Sequence, residues 1–413
     1  MNRPVVVAAG ALALVLGVGI GVGAGMLAQP SGSGPVAAVG SASPAPEPTD
    51  TTPAGTTNSS PSEPSTSPAI EPTPTPAPTP APTPTPKPTP VLVPAPLTGE
   101  PVTQAVAAKH VIAIMIDDLW AARPQSGLSQ ADVVWQAPAE GGIPRYEAWF
   151  QSTGPTSVGP IRSSRLYFIA WASEWKSVYV HAGGSPQAKA FLASAQGRGK
   201  AVYNADQFRW GKYLYRVSYR AAPHNVYSDA KSLAKLAKAV GAKAVPGQSP
   251  KWKFAPDAPL DQRPKGGKIV VPYLQNKITY AYDRASNTYP RAVSVEGKQF
   301  DAGTKPKTRI APKNVVIMVV RFVPLGDKKH RLDGQVTGSG TAWIATNGVT
   351  VKGTWKKKSF TAPTHFYRAD GTEVTLTIGQ TFVQVVPRGT KVSIKDGTVP
   401  SAATPSPSPS TTP

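Results

Sequence analysis

The sequence predicts an α+β class, with an α/β-type N-terminal domain followed by a mostly antiparallel β C-terminal domain. In the first half of the folded region, short apolar runs alternate with segments of helical spacing. In the second half, alternating β-branched and aromatic segments dominate. A Pro/Thr/Ser-rich stretch precedes both halves and contains too few large apolar residues to form a core. The folded region therefore begins well inside the chain.

Shifts in composition divide the 413 residues into five segments. We predict a signal anchor at 1–28, a disordered stalk at 29–91, the α/β domain at 92–250, the β-rich domain at 251–398 and a disordered tail at 399–413. The stalk favours extended polyproline II, so we expect it to hold the head away from a membrane. A ligand for a proline-binding module is the other interpretation.

Residues 5–28 carry no charge, and as a helix they would be about 36 Å long, enough to cross a bilayer. The run is longer than that of a signal peptide, so we favour an uncleaved anchor over a cleaved signal. Arg3 precedes it, which predicts a single-pass plasma-membrane protein with its head outside the cytoplasm. Gly17, Gly21 and Gly25 predict self-association of the span, unless they merely reflect a span rich in small residues.

The charge balance favours anionic partners. Lys+Arg number 44 against 23 Asp+Glu, a net charge of +21. Such a field attracts nucleic acid, anionic lipid or phosphate-bearing wall polymers, although a solvated surface without a specific partner is the alternative. The chain has no Cys, which excludes disulfides, a thiol nucleophile, Cys-bound metals and a thioether lipid anchor. No cofactor is predicted, and only a divalent metal stays open.

The elements of the head follow from local patterns. In the first domain we predict strands at 110–116, 132–136, 145–150 and 177–181. We predict helices at 164–175, from Pro186 with Ser185 as N-cap, and at 229–240 with its lysines in solvent. In the second domain we predict strands at 268–273, 278–283, 314–323, 340–346, 349–356, 373–377 and 381–386. Hairpin turns are predicted at Asn347-Gly348 and Asp370-Gly371.

The strongest candidate site combines VGPIRSSR at 158–165 with VHAGGSP at 180–186. A strand that runs into a glycine turn and a helix start leaves backbone N–H groups and a helix dipole for an anion. Nearby arginines add bidentate donors. The predicted ligand-binding residues are Arg145, Arg162, Ser163, Arg165, His181, Gly183, Gly184, Ser185, His224 and Asn225. The alternative is a tight turn, a capped helix and two surface arginines.

Acidic residues offer a second kind of chemistry. Asp117 and Asp118 end a predicted strand, where they could bind a divalent cation, act as acid or base, or simply cap the loop. Glu140 could be a general base or an ion-pair partner of Arg145. If the protein is an enzyme, we predict Asp117 and Glu140 as its catalytic residues. We interpret five tryptophans as core and hairpin aromatics rather than a stacking platform: Trp120, Trp135, Trp149, Trp171 and Trp175.

Several of these segments carry a family resemblance: MIDDLWAARPQSGLSQADVVWQAPAEGGIPRYEAWFQS, VGPIRSSRLYFIAWASEWKSVYVHAGGSPQA, APHNVYS, VKGTWKKKSFTAPTHFY and DGTEVTLTIGQTFVQVVP. Through them the chain resembles the YerB-like family of bacterial lipoproteins over about residues 96–388. The resemblance implies an extracytoplasmic protein of two domains, the second β-rich, with uncharacterised activity. The chain lacks the lipobox Cys of that pattern, so a membrane helix must replace the lipid.

Three functions remain open on the sequence. The first is binding of an anionic cell-envelope ligand through an Arg/Gly-lined cleft. The second is an enzyme, a hydrolase or phosphotransferase acting on phosphate- or sugar-containing wall material, with Arg162 and Arg165 holding an oxyanion. The third is binding of extracellular DNA. Arginines that cluster with Asp117, Glu140 and His181 would favour the enzyme, and arginines without carboxylates would favour the binding protein.

Overall fold

The computed structural model of the chain describes residues 90–399. The predicted membrane span with its glycines, nearly all of the predicted stalk and nearly all of the tail lie outside these residues. Among the helices it does describe, none combines the length and apolar character needed to cross a bilayer.

The described residues are mostly β with few helices. The first eleven strands are β1 (Leu92–Pro94), β2 (Pro101–Thr103), β3 (Ile112–Asp117), β4 (Val133–Pro138), β5 (Pro144–Phe150), β6 (Val178–His181), β7 (Tyr203–Asp206), β8 (Tyr215–Arg216), β9 (Val226–Tyr227), β10 (Lys253–Ala255) and β11 (Lys268–Tyr273). The others are β12 (Asn276–Ala281), β13 (Arg291–Val293), β14 (Gly297–Lys298), β15 (Asn314–Pro324), β16 (Leu332–Gln335), β17 (Gly338–Thr346), β18 (Val349–Lys357), β19 (Thr364–Arg368), β20 (Thr375–Thr377), β21 (Thr381–Pro387) and β22 (Ser393–Lys395).

The helices are short. The α-helices are α1 (Gln104–Ala107), α2 (Leu166–Ala172), α3 (Pro186–Ala193), α4 (Gln207–Trp210) and α5 (Ala230–Ala239). Single turns of 3-10 helix cover Trp120–Ala122, Glu140–Gly142, Ser173–Trp175, Gly211–Tyr213 and Leu260–Gln262.

One large sheet organises the head, with strand order β19-β18-β17-β15-β21-β4-β5-β3-β6-β7 and β16 paired to β15. Strands β15, β21 and β4 pair in parallel, and so do β3, β6 and β7. Strand β5 lies antiparallel between β4 and β3. These six parallel strands therefore run in one direction and end at one edge of the sheet, which we call the carboxyl edge.

Both faces of the large sheet are covered, as a sheet with parallel strands requires. On one face α2 and α3 pack on an aromatic core in which Trp135 stacks on Trp171 with ring centroids 4.6 Å apart. On the other face lie α5 and a five-stranded antiparallel sheet, β14-β13-β12-β11-β22. This second core includes Tyr146 from the large sheet, Leu233 from α5 and Val271 from the small sheet.

Much of the local prediction is confirmed. The four strands predicted in the first domain correspond to β3, β4, β5 and β6 within two residues at either end. Ser185 caps α3 by accepting a hydrogen bond from the Ala188 N–H, with Pro186 at the first helical position. Asp229 caps α5. The Asn347-Gly348 turn joins β17 to β18 with both residues at positive φ.

Two expectations need correction. The α+β class overestimates the helix content, because the helical pattern at 164–175 yields an α2 of only seven residues. The second half is mostly antiparallel, as predicted, but β21 is parallel to both of its neighbours, β15 and β4. Through β21, the large sheet takes strands from both sides of the boundary predicted at residue 250. Trp120 is not a core residue, because 77% of it is exposed.

Candidate functional site

Three neighbouring parallel strands present a polar side chain where they reach the carboxyl edge. Strand β3 ends in Asp117, β6 in His181 and β7 in Asp206. His181 and Asp206 are opposite each other in the register of β6 and β7. In sheets of parallel strands, ligands bind in the crevice beyond the carboxyl ends. The topology therefore favours this edge as the place for a ligand site.

The segment predicted to carry the arginines crosses this edge between β3 and β6. The Asp117 N–H donates to the carbonyl of Pro160 at 2.9 Å, and the Arg162 N–H donates to that of Met115 at 2.9 Å. On the other side, the Ala182 N–H donates to the carbonyl of Arg162 at 3.0 Å. These backbone bonds hold Arg162 between the ends of the two strands.

Asp117 is the centre of a buried ionic cluster. Its carboxylate lies 3.0 Å from Nε of Arg162 and 3.5 Å from Nη1 of Arg145, which is opposite Asp117 in the register of β3 and β5. Nδ1 of His224 approaches the same carboxylate at 2.8 Å. The site thus joins residues from β3, β5, the crossing segment and the loop before β9.

Glu140 extends this cluster. Nη2 of Arg145 donates to Glu140 at 2.7 Å, and Nη2 of Arg165 donates to its other carboxylate oxygen. Burial alone would raise the pKa of Glu140, but the charges of Arg145 and Arg165 outweigh it and hold the pKa at about 2. We call Asp117, Glu140, Arg145, Arg162, Arg165 and His224 the arginine cluster. Its three guanidinium groups face only two carboxylates.

Several guanidinium donors of the arginine cluster are not used by the protein. Nε of Arg145 and Nε of Arg165 are buried and have no hydrogen-bond partner among residues 90–399. The Arg162 side chain is one-quarter exposed, and its terminal nitrogens bond to no residue in that range. Buried donors normally find partners, so these groups are suited to receiving an acceptor from a ligand or from water.

The glycine turn lies close to the arginine cluster, but its amides serve the fold. The Ser185 N–H donates to the carbonyl of Ser164 at 3.1 Å, and the Gly183 N–H donates to Oδ1 of Asp206 at 3.2 Å. Nη1 of Arg165 donates to the same Ser164 carbonyl at 2.6 Å, which places the two donors within about 6 Å of each other. An anion nest at Gly183, Gly184 and Ser185 stays a prediction.

A groove of about 800 Å³ is lined by His181 and by residues of α3, α4 and α5. Nδ1 of His181 lies 2.8 Å from the Gly183 carbonyl, and its Nε2 lies 2.8 Å from Oδ1 of Asn204. The sequence did not point to the groove's other charged and polar residues, which are Lys189, Arg198, Asn204, Asp206 and Arg209. Asp206 could have been predicted from the sequence, because it ends a strand and caps the helix that follows.

The remaining predicted residues lie outside the arginine cluster. Oδ1 of Asn225 accepts from Nη1 of Arg216 at 2.5 Å, and Ser163 is half-buried beside Arg162. Asp118 bonds instead to Gln136 at 2.6 Å, to Gln125 at 3.0 Å and to Arg123 at 3.1 Å. Burial raises the pKa of Asp118 to about 6 against the opposing effect of these partners.

Asp117 and Asp118 therefore do not converge on one point, as a shared metal ion would require. Asp117 faces the guanidinium groups and His224, and Asp118 faces two amides and Arg123. In the part of the chain that the structure describes, no three His, Asp or Glu side chains form a group able to hold a metal ion.

Comparison with known proteins identifies relatives of the whole head. The family model "Protein of unknown function (DUF3048) N-terminal domain" matches residues 97–243, and the corresponding C-terminal domain model matches residues 269–383. A Bacillus subtilis protein named "Putative lipoprotein YerB" is 32% identical over 310 residues, covering 73% of this chain and 89% of the relative. The crystal structure of the YerB protein from Bacillus subtilis matches with a TM-score of 0.64 at 28% identity.

That structural match covers 73% of this chain and 99% of the crystallised one. The two family models lie on either side of residue 250, and the large sheet takes strands from both. The resemblance inferred from the motifs is confirmed. The chain belongs to the DUF3048 family, whose function is unknown.

Proposed function

We propose that this protein is anchored to the membrane outside the cytoplasm and binds an anionic ligand of the cell envelope at the arginine cluster. The relative's name as a lipoprotein and the uncharged run at residues 5–28 support the location. One observation carries the ligand class: three guanidinium groups face two carboxylates, and the most exposed of them, Arg162, keeps its terminal nitrogens free of bonds to the described residues.

The chemistry of this arrangement suits a phosphate or carboxylate group. A guanidinium fork presents two parallel N–H donors, which match the spacing of two oxygens on such a group. Asp117 anchors Arg162 through Nε and thereby leaves the fork free to face a ligand. The separate groove lined by His181 carries three more cations, Lys189, Arg198 and Arg209, and one carboxylate, Asp206.

The test compares Arg162→Ala with Arg368→Ala in the full chain, using inorganic pyrophosphate as the probe in calorimetric titrations at low salt. Arg368 is exposed on β19, the far edge strand of the large sheet. Loss of a charge-assisted bond should weaken binding roughly tenfold to a hundredfold in Arg162→Ala, and Arg368→Ala should bind as the parent does. Equal weakening in both variants would indicate attraction by bulk charge, and the proposed site would be wrong.

A second candidate function is the enzyme, and two observations favour it. The arginines cluster with Asp117 and Glu140, although not with His181, and Asp117 contacts His224. An imidazole that donates its Nδ1–H to a carboxylate keeps Nε2 as an acceptor, which can take a proton from water. The two atoms are 2.8 Å apart, and the His224 side chain is 13% exposed. If the protein is an enzyme, the parent should release phosphate from pyrophosphate. His224→Gln should still bind pyrophosphate but release no phosphate. Binding by the parent without any release would support the first.

A further inference from the structure

Exposed apolar side chains are concentrated on one side of the head. Within residues 90–399, Val91 and five others are the large apolar side chains exposed by at least two-thirds. These five are Trp120 at 77%, Phe208 at 83%, Tyr219 at 70%, Leu274 at 83% and Val295 at 69%. We call these five residues the apolar rim; they lie on loops or short helical turns.

Contacts between the loops bring Trp120, Tyr219 and Val295 to one surface. Trp120 lies three residues after the end of β3, and it lines a shallow hollow of about 470 Å³ together with Val295. Arg220, next to Tyr219, donates to the carbonyls of Ala121 at 2.9 Å and of Pro124 at 2.8 Å. The loop of Tyr219 is therefore fastened to the segment of Trp120.

Leu274 and Phe208 reach the same edge from two other elements. Leu274, at the tip of the hairpin between β11 and β12, lies against Gly142, two residues after Glu140. Phe208 is the second residue of α4, which follows β7, and it lies beside Gly183. Glu140 belongs to the arginine cluster and Gly183 lies close to it, so Leu274 and Phe208 are both near that cluster.

Exposed lysines lie between the members of the apolar rim. Lys298 and Lys307 line the hollow of Trp120 and Val295. Lys328 and Lys329 belong to the turn that ends at His330, whose carbonyl accepts from an N–H beside Gly142. This edge is therefore positive as well as apolar.

We infer that the carboxyl edge docks on a bilayer surface that contains anionic lipid. A protein partner would call for a continuous apolar patch, whereas here single apolar side chains stand on separate loops with cations between them. Tryptophan and tyrosine favour the headgroup level of a membrane, leucine and phenylalanine enter the acyl boundary, and lysines attract anionic headgroups. The inference does not require the arginine cluster to hold a ligand.

The absence of cysteine from the chain makes a clean test available. The full chain receives a single environment-sensitive fluorophore at Leu274→Cys or, as the control, at Leu260→Cys. Leu260 is half-exposed and lies near Asp257, which pairs with Lys313 at the start of β15, on the opposite edge of the sheet. The vesicles contain phosphatidylglycerol and phosphatidylcholine, with a quencher attached to the acyl chains.

Docking predicts at least about twofold stronger quenching at position 274 than at position 260, and a blue shift at 274 alone. Trp120→Ser in the Leu274→Cys chain should lower the docked fraction roughly tenfold, because one large apolar contact is lost. Phosphatidylcholine alone, or about 0.5 M salt, should reduce the difference. Equal quenching at both positions would refute the inference. Self-quenching at position 274 without vesicles would also refute it, because it would show that the rim binds a second copy of the chain.

Discussion

Replacement of Glu140 by Gln tests whether the arginine cluster is as tightly paired as its geometry indicates. The ordinary pKa of this carboxyl is 4.5, and Arg145 and Arg165 outweigh its burial to hold it at about 2. At about 1.4 kcal/mol per pH unit, this difference makes the ionised Glu140 worth about 3 kcal/mol to the folded state. Both arginine side chains are only 4% exposed, so water cannot replace the lost partner.

The sign of the pH dependence follows from the lowered pKa. The stabilisation is fully present above about pH 4.5 and is lost as the pH falls through about 2. Urea unfolding of Glu140→Gln should therefore show a cost of about 3 kcal/mol at pH 7 and about half of that near pH 3. Asp261→Asn is the control, because Asp261 is exposed and forms no ion pair with the described residues; its cost should stay within about 0.5 kcal/mol.

The same variant should bind pyrophosphate more tightly than the parent, because it leaves two guanidinium groups without their carboxylate. Stability and affinity would then change in opposite directions. A cost at pH 7 that equals the control, or one that is the same at pH 3 and pH 7, would refute the reasoning about Glu140. Weaker binding would show instead that Glu140 positions the arginines for the ligand.

Three further changes test the packing around the site. Burial raises the pKa of Glu147 well above its usual range. Glu147→Gln should therefore gain stability relative to the parent as the pH rises above about 4.5, and parallel urea profiles would contradict this. Lys357 is buried 2.8 Å from Glu174, so Lys357→Met should cost about 3–5 kcal/mol in urea unfolding, whereas a cost below about 1 kcal/mol would mean that the pair is hydrated. Gly159→Ala would place Cβ 2.7 Å from the Tyr227 ring and should lower the melting temperature, and an unchanged melt would refute that contact.

Local patterns were sufficient for the elements that hold the site. Asp117 and His181 were placed at strand ends because apolar runs stop there, and the Ser185 cap followed from a hydroxyl before a proline. Each of these inferences depends on residues that are close in sequence. The sequence leaves the approach of Arg162 to Asp117 open, as a condition that would favour the enzyme, because it depends on a segment that crosses between two strands.

Local sequence patterns do not determine which strands pair across the sheet. Nothing in the pattern at 381–386 distinguishes a strand with parallel neighbours from an antiparallel one, because side chains alternate in both. Trp120 was placed in the core on its residue type alone, and only the fold shows that its short helix lies outside the packed layers. The ion pairs of Glu140 depend on two arginines from different elements, of which only Arg145 was proposed as its partner.

The position of β21 has a consequence for how the chain reaches its native state. This strand fills the gap between β15 and β4, and its residues pair with partners about 250 positions earlier. Pairing between residues so far apart in sequence slows folding, because a long loop must close before the paired strands stabilise the structure. Until residue 387 has emerged, β4 presents an open edge that can pair with other chains. We expect the first family segment, produced alone, to aggregate, and the head to complete its folding only after nearly all of it has been synthesised.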